Sequence, residues 1–429
     1  MRTPRFAPAL LAALLLAGCT APAGSESTAS AEATPAAESA ETAEEAAATA
    51  STEPLRLLQT GDEKQYYLTE PANADQTLER FRIVDLTTGE NTIPCDVEGC
   101  THDSEDCPAV WSRATWDFGV AAWVLNEDTL LILSSTSEPN KTVFSFADRN
   151  CQNLTPFATV EDAMGIAQQC TDGTSLYFLI SIEGGTYKIC RLSLADGSQT
   201  VLWEGTEYPA PGVIGRNFVL KTSDLTYPEP TGDLGADATA LPTGTVTHSL
   251  LNVDTGELRE LYTYSSDAWN LDNLDAYVVD GQYYQIDRAA GTLSTVDPDT
   301  GEVRQISDGL PTADRNTYTS DYQPEAVLDG WMVFYRLPVI VNVETGEVRQ
   351  RIDLPENYWN GYGHQPSIYL QLQDRLLVDC RYEPYTRTGI GTDGTPYTIE
   401  TERTYLGLIS IDDFLNGVPN YTEVGEYVA

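Results

Sequence analysis

The chain is poor in the side chains from which most catalytic sites are built. It carries three histidines in 429 residues, at His102, His248 and His364, so a nucleophile has few places to find a base. The Gly-x-Ser-x-Gly elbow, the His-Glu-x-x-His zinc helix and a phosphate-cradling Gly-rich loop running into a helix are all missing. Hydrolytic triads and nucleotide-binding loops are thereby disfavoured. Carboxylate pairs can be drawn almost at will from so acidic a chain, so their presence carries no information. Basic residues are scarce: 24 Lys and Arg stand against 65 Asp and Glu, a formal net charge of −41. Such a surface is a poor partner for nucleic acid or anionic lipid. Cationic ligands, neutral glycans and metal ions remain compatible with it, and acidity also keeps an exposed protein soluble. Long amphipathic helical stretches are missing too. Only 160–167 has helical character, and a strand fits it equally.

What is present begins at the N-terminus. Arg2 and Arg5 precede an apolar stretch from Phe6 to Leu16, followed by Leu16-Ala17-Gly18-Cys19-Thr20. This is the layout of a secretory signal over 1–18, too short for a membrane-spanning helix, which needs ~20 residues. The Leu-Ala-Gly-Cys tetrapeptide resembles the bacterial lipobox. That resemblance implies that Cys19 is lipidated and becomes the first residue of the mature chain, held on the extracellular face of the cytoplasmic membrane. Acyl chains contribute ~0.8 kcal/mol per buried methylene, so two or three hold durably. Residues 20–53 are almost wholly Ala, Glu, Ser, Thr and Pro, a composition that cannot bury enough apolar surface to offset chain entropy. With Cys19 they make a disordered tether, with a root-mean-square span of roughly 30 to 35 Å.

From Pro54 to Ala429 the composition is that of a folded domain. A local pattern recurs there: a strand from an acidic-Gly turn, a second strand, a turn near Thr-Gly-Glu, and a third strand. The clearest copies are Asp280 to Ile306 and Asp329 to Gln350, which share the string Thr-Gly-Glu-Val-Arg-Gln around Gly301 and Gly346. Weaker copies place the turn at Thr88-Gly89-Glu90, Arg149-Asn150, Asp196-Gly197, Thr255-Gly256-Glu257 and, loosely, Asp412 to Gly417. Seven copies, with β-branched and aromatic strands and Asp/Asn/Gly turns, predict an all-β fold: a β-propeller, seven-bladed, over 54–429. Two β-sandwiches are the rival arrangement. Residues 222–246 and 383–403 read as long hairpin insertions.

The most specific local feature is Cys95-Asp-Val-Glu-Gly-Cys100-Thr-His102-Asp-Ser-Glu-Asp-Cys107, placed just after the outer hairpin of the first repeat. Three thiols and an imidazole can supply the tetrahedral N/S shell of a structural zinc. The step from Cys100 to His102 is tight for two ligands of one ion. Two of the cysteines can instead close a disulfide in an oxidising compartment, and a reactive loop is the third reading. With the lipobox, acidic tether and repeats, this string resembles the propeller-like lipoproteins of gut-dwelling Clostridia and other Firmicutes. The resemblance implies a location and a fold, and carries no activity.

Cys151, Cys170, Cys190 and Cys380 fall in or beside strands, where thiols act as small apolar residues. Cys151 and Cys170, on adjacent repeats, could meet. Asp297-Pro-Asp299-Thr-Gly301 is turn chemistry rather than a calcium loop. Tyr358, Trp359, Tyr362 and His364 cluster in a stretch leading into the last repeat and suit stacking on a sugar or gripping a peptide. The expected function is a surface-exposed binding or scaffold module for a glycan, peptide or partner protein. The alternatives are a carbohydrate-active or lactone-cleaving propeller with a channel-mouth site, and a wall-proximal spacer.

Overall fold

Residues of alternating polarity, punctuated by Asp, Asn and Gly, fold into seven antiparallel sheets of four or five strands. In the computed structural model the described residues run from Glu53 to Val428, leaving out 74–76, 113–119, 136–140, 207, 210–211, 227–228, 230–242, 267–273, 314–318, 352–365 and 391–394. The signal peptide, Cys19, the tether to residue 52, and Tyr358, Trp359, Tyr362 and His364 lie outside them. The sheets are the blades of a seven-bladed β-propeller: 65–112, 120–160, 163–205, 212–266, 274–307, 324–350 and 368–428. The stretch at 160–167 is not helical: Val160 ends the outer strand of blade 2, Thr155–Val160, and 163–167 belong to Ala163–Thr171, on the inner side of blade 3. No helix among the described residues is long and apolar enough to cross a membrane.

The repeated turn has a simple cause. In blade 4 the Asn252 side-chain oxygen accepts from the N–H groups of Asp254 and Thr255, each at 3.0 Å, and Gly256 N–H closes back on the Asn252 carbonyl at 2.9 Å. Asp85, Asp297 and Asn342 do the same in blades 1, 5 and 6. The chain can reverse only if the last residue takes a left-handed backbone, which suits glycine. Gly256 and Gly346 have φ of 70° and 74°. In blade 7 the turn is replaced by a short helix, Ile411–Leu415, capped by the Ser410 hydroxyl.

Each interface between neighbouring blades holds its own apolar core. The interface between blades 4 and 5 is the leanest, with Val219, Leu250, Tyr283 and Val296 as its buried members. Cys151 packs between blades 1 and 2, and Cys170 between blades 3 and 4, so these two thiols are not neighbours. Among the described residues no strand is shared across the ring closure. Blade 7 meets blade 1 through a core containing Tyr66, Val84, Leu377 and Leu406. Asn91 and Glu70 of blade 1 add hydrogen bonds to the backbone of Glu426 and Val428.

Blade 1 departs from the pattern twice. Its outer strand is split into Asn91–Thr92 and Val110–Ser112, both paired with Leu78–Asp85, and the cysteine loop fills the gap. The loop therefore interrupts the outer strand instead of following the outer hairpin. Its inner strand is also displaced. Leu55 N–H reaches the Gly215 carbonyl of blade 4, Arg56–Leu57 pairs with Cys170–Thr171 of blade 3, and the Gln59 carbonyl accepts from Val124 of blade 2. Only at Thr60 and Gly61 does the segment meet blade 1 itself, beside Tyr66 and Tyr67.

Candidate functional site

The two faces of the disc are built differently. Antiparallel alternation puts the first-to-second and third-to-fourth strand turns of every blade on one face, where the turns are tight apart from the helical one of blade 7. The other face receives the second-to-third turns and the links between blades. Among the described residues it carries 308–313 and the short 3-10 turn Thr319–Tyr322, from the link between blades 5 and 6. Two hairpins extend there as arms: Asn217–Thr226 with Thr243–Asn252 in blade 4, and Arg375–Ile390 with Pro396–Ser410 in blade 7. They are the two insertions legible as such in the sequence. Beyond Arg403 the blade 7 arm has no third strand beside it, since Thr422–Val428 pairs only as far as that residue.

The cysteine loop comes together as one cluster at the outer edge of blade 1. The sulfurs of Cys95, Cys100 and Cys107 and a ring nitrogen of His102 all lie within 4.8 Å of one another. A tetrahedral ion with sulfur ligands at ~2.3 Å needs ligand separations of roughly 3.8 Å, so the group can hold a metal ion. The short step from Cys100 to His102 is accommodated by backbone: His102 has φ 56° and Gly99 has φ 77°. His102 Nδ1 thereby sits 3.3 Å from Cys107 Sγ. Cys107 is buried in a small separate core with Ala109 and Val110, against which Leu78, Ile93, Cys95 and Cys100 pack. That burial pushes its thiol up to about 12, whereas the His102 backbone N–H holds the Cys100 thiol below its ordinary value. A bound dication would favour thiolates at all three positions. None of the seven described cysteines is in a disulfide.

Two further polar groups are assembled by the fold, neither of them given a role from the sequence. On the side of blades 6 and 7 that carries the links between blades, Glu325 and Asp379 feel each other's charge, with Arg351 close enough to ease Glu325. Burial raises Glu325 to about 7 and Asp379 to about 6, although Tyr382 and the Ser367 N–H donate to Asp379. Glu325 Oε2 is buried with no hydrogen-bond partner among the described residues. The legible signal was an acid inside an apolar strand, Leu376-Leu-Val-Asp379.

The second group is His248, which lies in the middle of Thr243–Asn252 and is 1 % exposed. Its ring stacks on Tyr262 at 4.7 Å, and the Tyr283 hydroxyl stands 2.5 Å from Nδ1. Burial drives His248 down to about 3, with Lys221 adding to the shift.

No protein-family model matches the chain, and no curated protein sequence matches it. Among solved structures, a puromycin hydrolase mutant complexed with PGG is similar at 12% identity, covering 82% of this chain and 58% of that one, with a TM-score of 0.45. TolB from Acinetobacter baumannii is similar at 13% identity, covering 82% and 76%, with a TM-score of 0.35. An oligogalacturonate lyase in complex with manganese is similar at 12% identity, covering 81% and 97%, with a TM-score of 0.37. The chain thus spans well under two thirds of the hydrolase. The class defined is that of the β-propeller, a fold that hosts unrelated functions.

Proposed function

We propose that the chain is an exported, lipid-anchored propeller, held at Cys19 on the outer face of the cytoplasmic membrane, that binds or scaffolds a glycan, peptide or partner protein. The observation that carries this reading is the inequality of the two faces. Two hairpin arms that outrun their blades on one side of a rigid disc, opposite a face of tight turns, are the usual setting of a recognition surface. In the same reading Cys95, Cys100, His102 and Cys107 hold one structural zinc, which pins the halves of the split outer strand of blade 1. With four protein ligands the ion has no open position for chemistry.

The test is binding of the full chain to arrays of glycans and peptides, beside a variant in which residues 384–402 are replaced by Asn-Gly. Binding to a defined ligand class, lost in the variant while its thermal midpoint is kept, supports the reading. Binding that survives the replacement of the arm overturns it. Glu325 and Asp379 favour one second reading, an enzyme with its site at the channel mouth. A carboxyl that stays protonated near neutrality suits a general acid, and cleavage of an arrayed glycan that Glu325→Gln abolishes would establish it.

A further inference from the structure

We propose that the Cys95–Cys100–His102–Cys107 centre is an oxidation-gated metal clip, in which a peroxide joins Cys95 to Cys100 as a disulfide and the metal leaves. The inference rests on the metal reading above.

Accessibility sets which sulfurs react. Cys95 and Cys100 are both partly exposed, whereas Cys107 is 1 % exposed in its own small core. The sulfurs already lie within 4.8 Å of one another, so a disulfide needs only a local closing of the loop to bring them to ~2.05 Å. The loop sits at the outer edge of blade 1, outside all seven interblade cores, and a Cβ placed on Gly99 at its bend would meet only open space. It can therefore rearrange while the ring stays intact. Cys151, Cys170 and Cys190 are buried in interblade cores and stand apart from this chemistry.

The step balances without any group beyond the peroxide. The Cys100 thiolate attacks one peroxide oxygen, the O–O bond breaks, and the departing hydroxide takes a proton to become water. The resulting sulfenic acid is attacked by the Cys95 thiolate; an S–S bond forms, the S–O bond breaks, and a second water leaves. Two thiolates are oxidised, one peroxide is reduced, and two protons are consumed. His102 and Cys107 alone are too few ligands to retain the ion.

Loss of the ion also has a local readout. The loop walls a surface depression of about 490 Å³ that includes Thr77, Asp103, Glu105, Asp106 and Ser112. Its shape follows the state of the metal.

The full chain, purified anaerobically with zinc, is titrated with hydrogen peroxide while released zinc is read with a chromogenic chelator and thiols by mass mapping. The expected result is release of the ion together with loss of two hydrogens from the peptide holding Cys95 and Cys100, both reversed by a thiol reductant and fresh zinc. Absence of zinc from the anaerobic chain sinks the metal reading itself. Zinc that is present but stays bound while the peroxide is consumed overturns the gate alone. Release accompanied by sulfinate, with no recovery on reduction, overturns it as well.

Discussion

The side-chain amide of Asn91 donates to the backbone carbonyl of Glu426 at 2.8 Å, joining residues 335 positions apart. This bond crosses the seam where the first blade meets the last. Glu70 stands nearby, 3 % exposed, paired with Arg80 and Arg82 and within reach of the Val428 N–H. With no strand shared across the seam among the described residues, these contacts supplement one apolar core. Asn91→Ala should destabilise the chain by about 1 kcal/mol, a typical hydrogen bond. Glu70→Ala should cost about 3 kcal/mol because it strands two guanidinium groups. Urea unfolding checks both, and two silent variants would leave closure to the apolar core.

Glu325 and Asp379 should make stability fall as pH rises. Both are carboxyls whose folded values are raised, from 4.5 to about 7 and from 3.8 to about 6. The native state therefore keeps protons that the unfolded chain has released. Their contribution is fully present below about pH 4 and is lost through pH 7. Glu325→Gln, which cannot ionise, should gain on the order of 1 to 3 kcal/mol relative to wild type at pH 8 and almost nothing at pH 4. Thermal midpoints at the two pH values decide it; an equal change at both would mean that ionisation is not what strains the site.

His248 acts in the opposite direction. Its folded value is lowered from 6.5 to about 3, so its contribution is present above pH 6.5 and lost as pH falls toward 3. Tyr283→Phe should remove the partner of Nδ1 and cost about 1 to 3 kcal/mol at pH 7. The paired variant His248→Leu should lose less than the single Tyr283→Phe, since it removes the stranded nitrogen, and a double-mutant cycle in urea measures the difference.

Identical turns should respond differently to one methyl group. A Cβ at Gly256 would meet nothing within 4 Å, whereas one at Gly346 would stand 2.1 Å from the Ile306 carbonyl oxygen of the preceding blade. Gly256→Ala should cost only its left-handed backbone, about 1 kcal/mol. Gly346→Ala must also push two blades apart and should cost at least twice as much, read as the loss in thermal midpoint.

Much of this architecture was legible because the turn has one economical solution. Asn252-x-x-Thr-Gly256 and its copies need a side-chain acceptor at the first position and a left-handed residue at the last, and that chemistry leaves a visible spacing. The two arms were legible for a similar reason, since Gly, Pro, Thr and Asp accumulate where a hairpin outruns its blade. Cys95, Cys100, His102 and Cys107 were readable as a candidate group from their spacing, which also fitted a disulfide, and the structure brings all four together. The split outer strand was not readable, because Asn91–Thr92 is too short to show alternation. Nor was the displaced inner strand: Arg56 and Leu57 are both exposed, so no polarity pattern marks them. Glu325, Asp379 and His248 depend on which blade face lies opposite, and that is fixed only when the ring closes.

The path of residues 53–61 gives the disc a direction. The Glu53 carbonyl accepts from Arg216 at 2.6 Å, and Leu55 is bonded to Gly215, both in a tight turn of blade 4. A molecule held by its N-terminal end is thus gripped on the side of the tight turns. A pull applied at residue 53 is shared among blades 2, 3 and 4 through backbone bonds, on the face opposite the two arms.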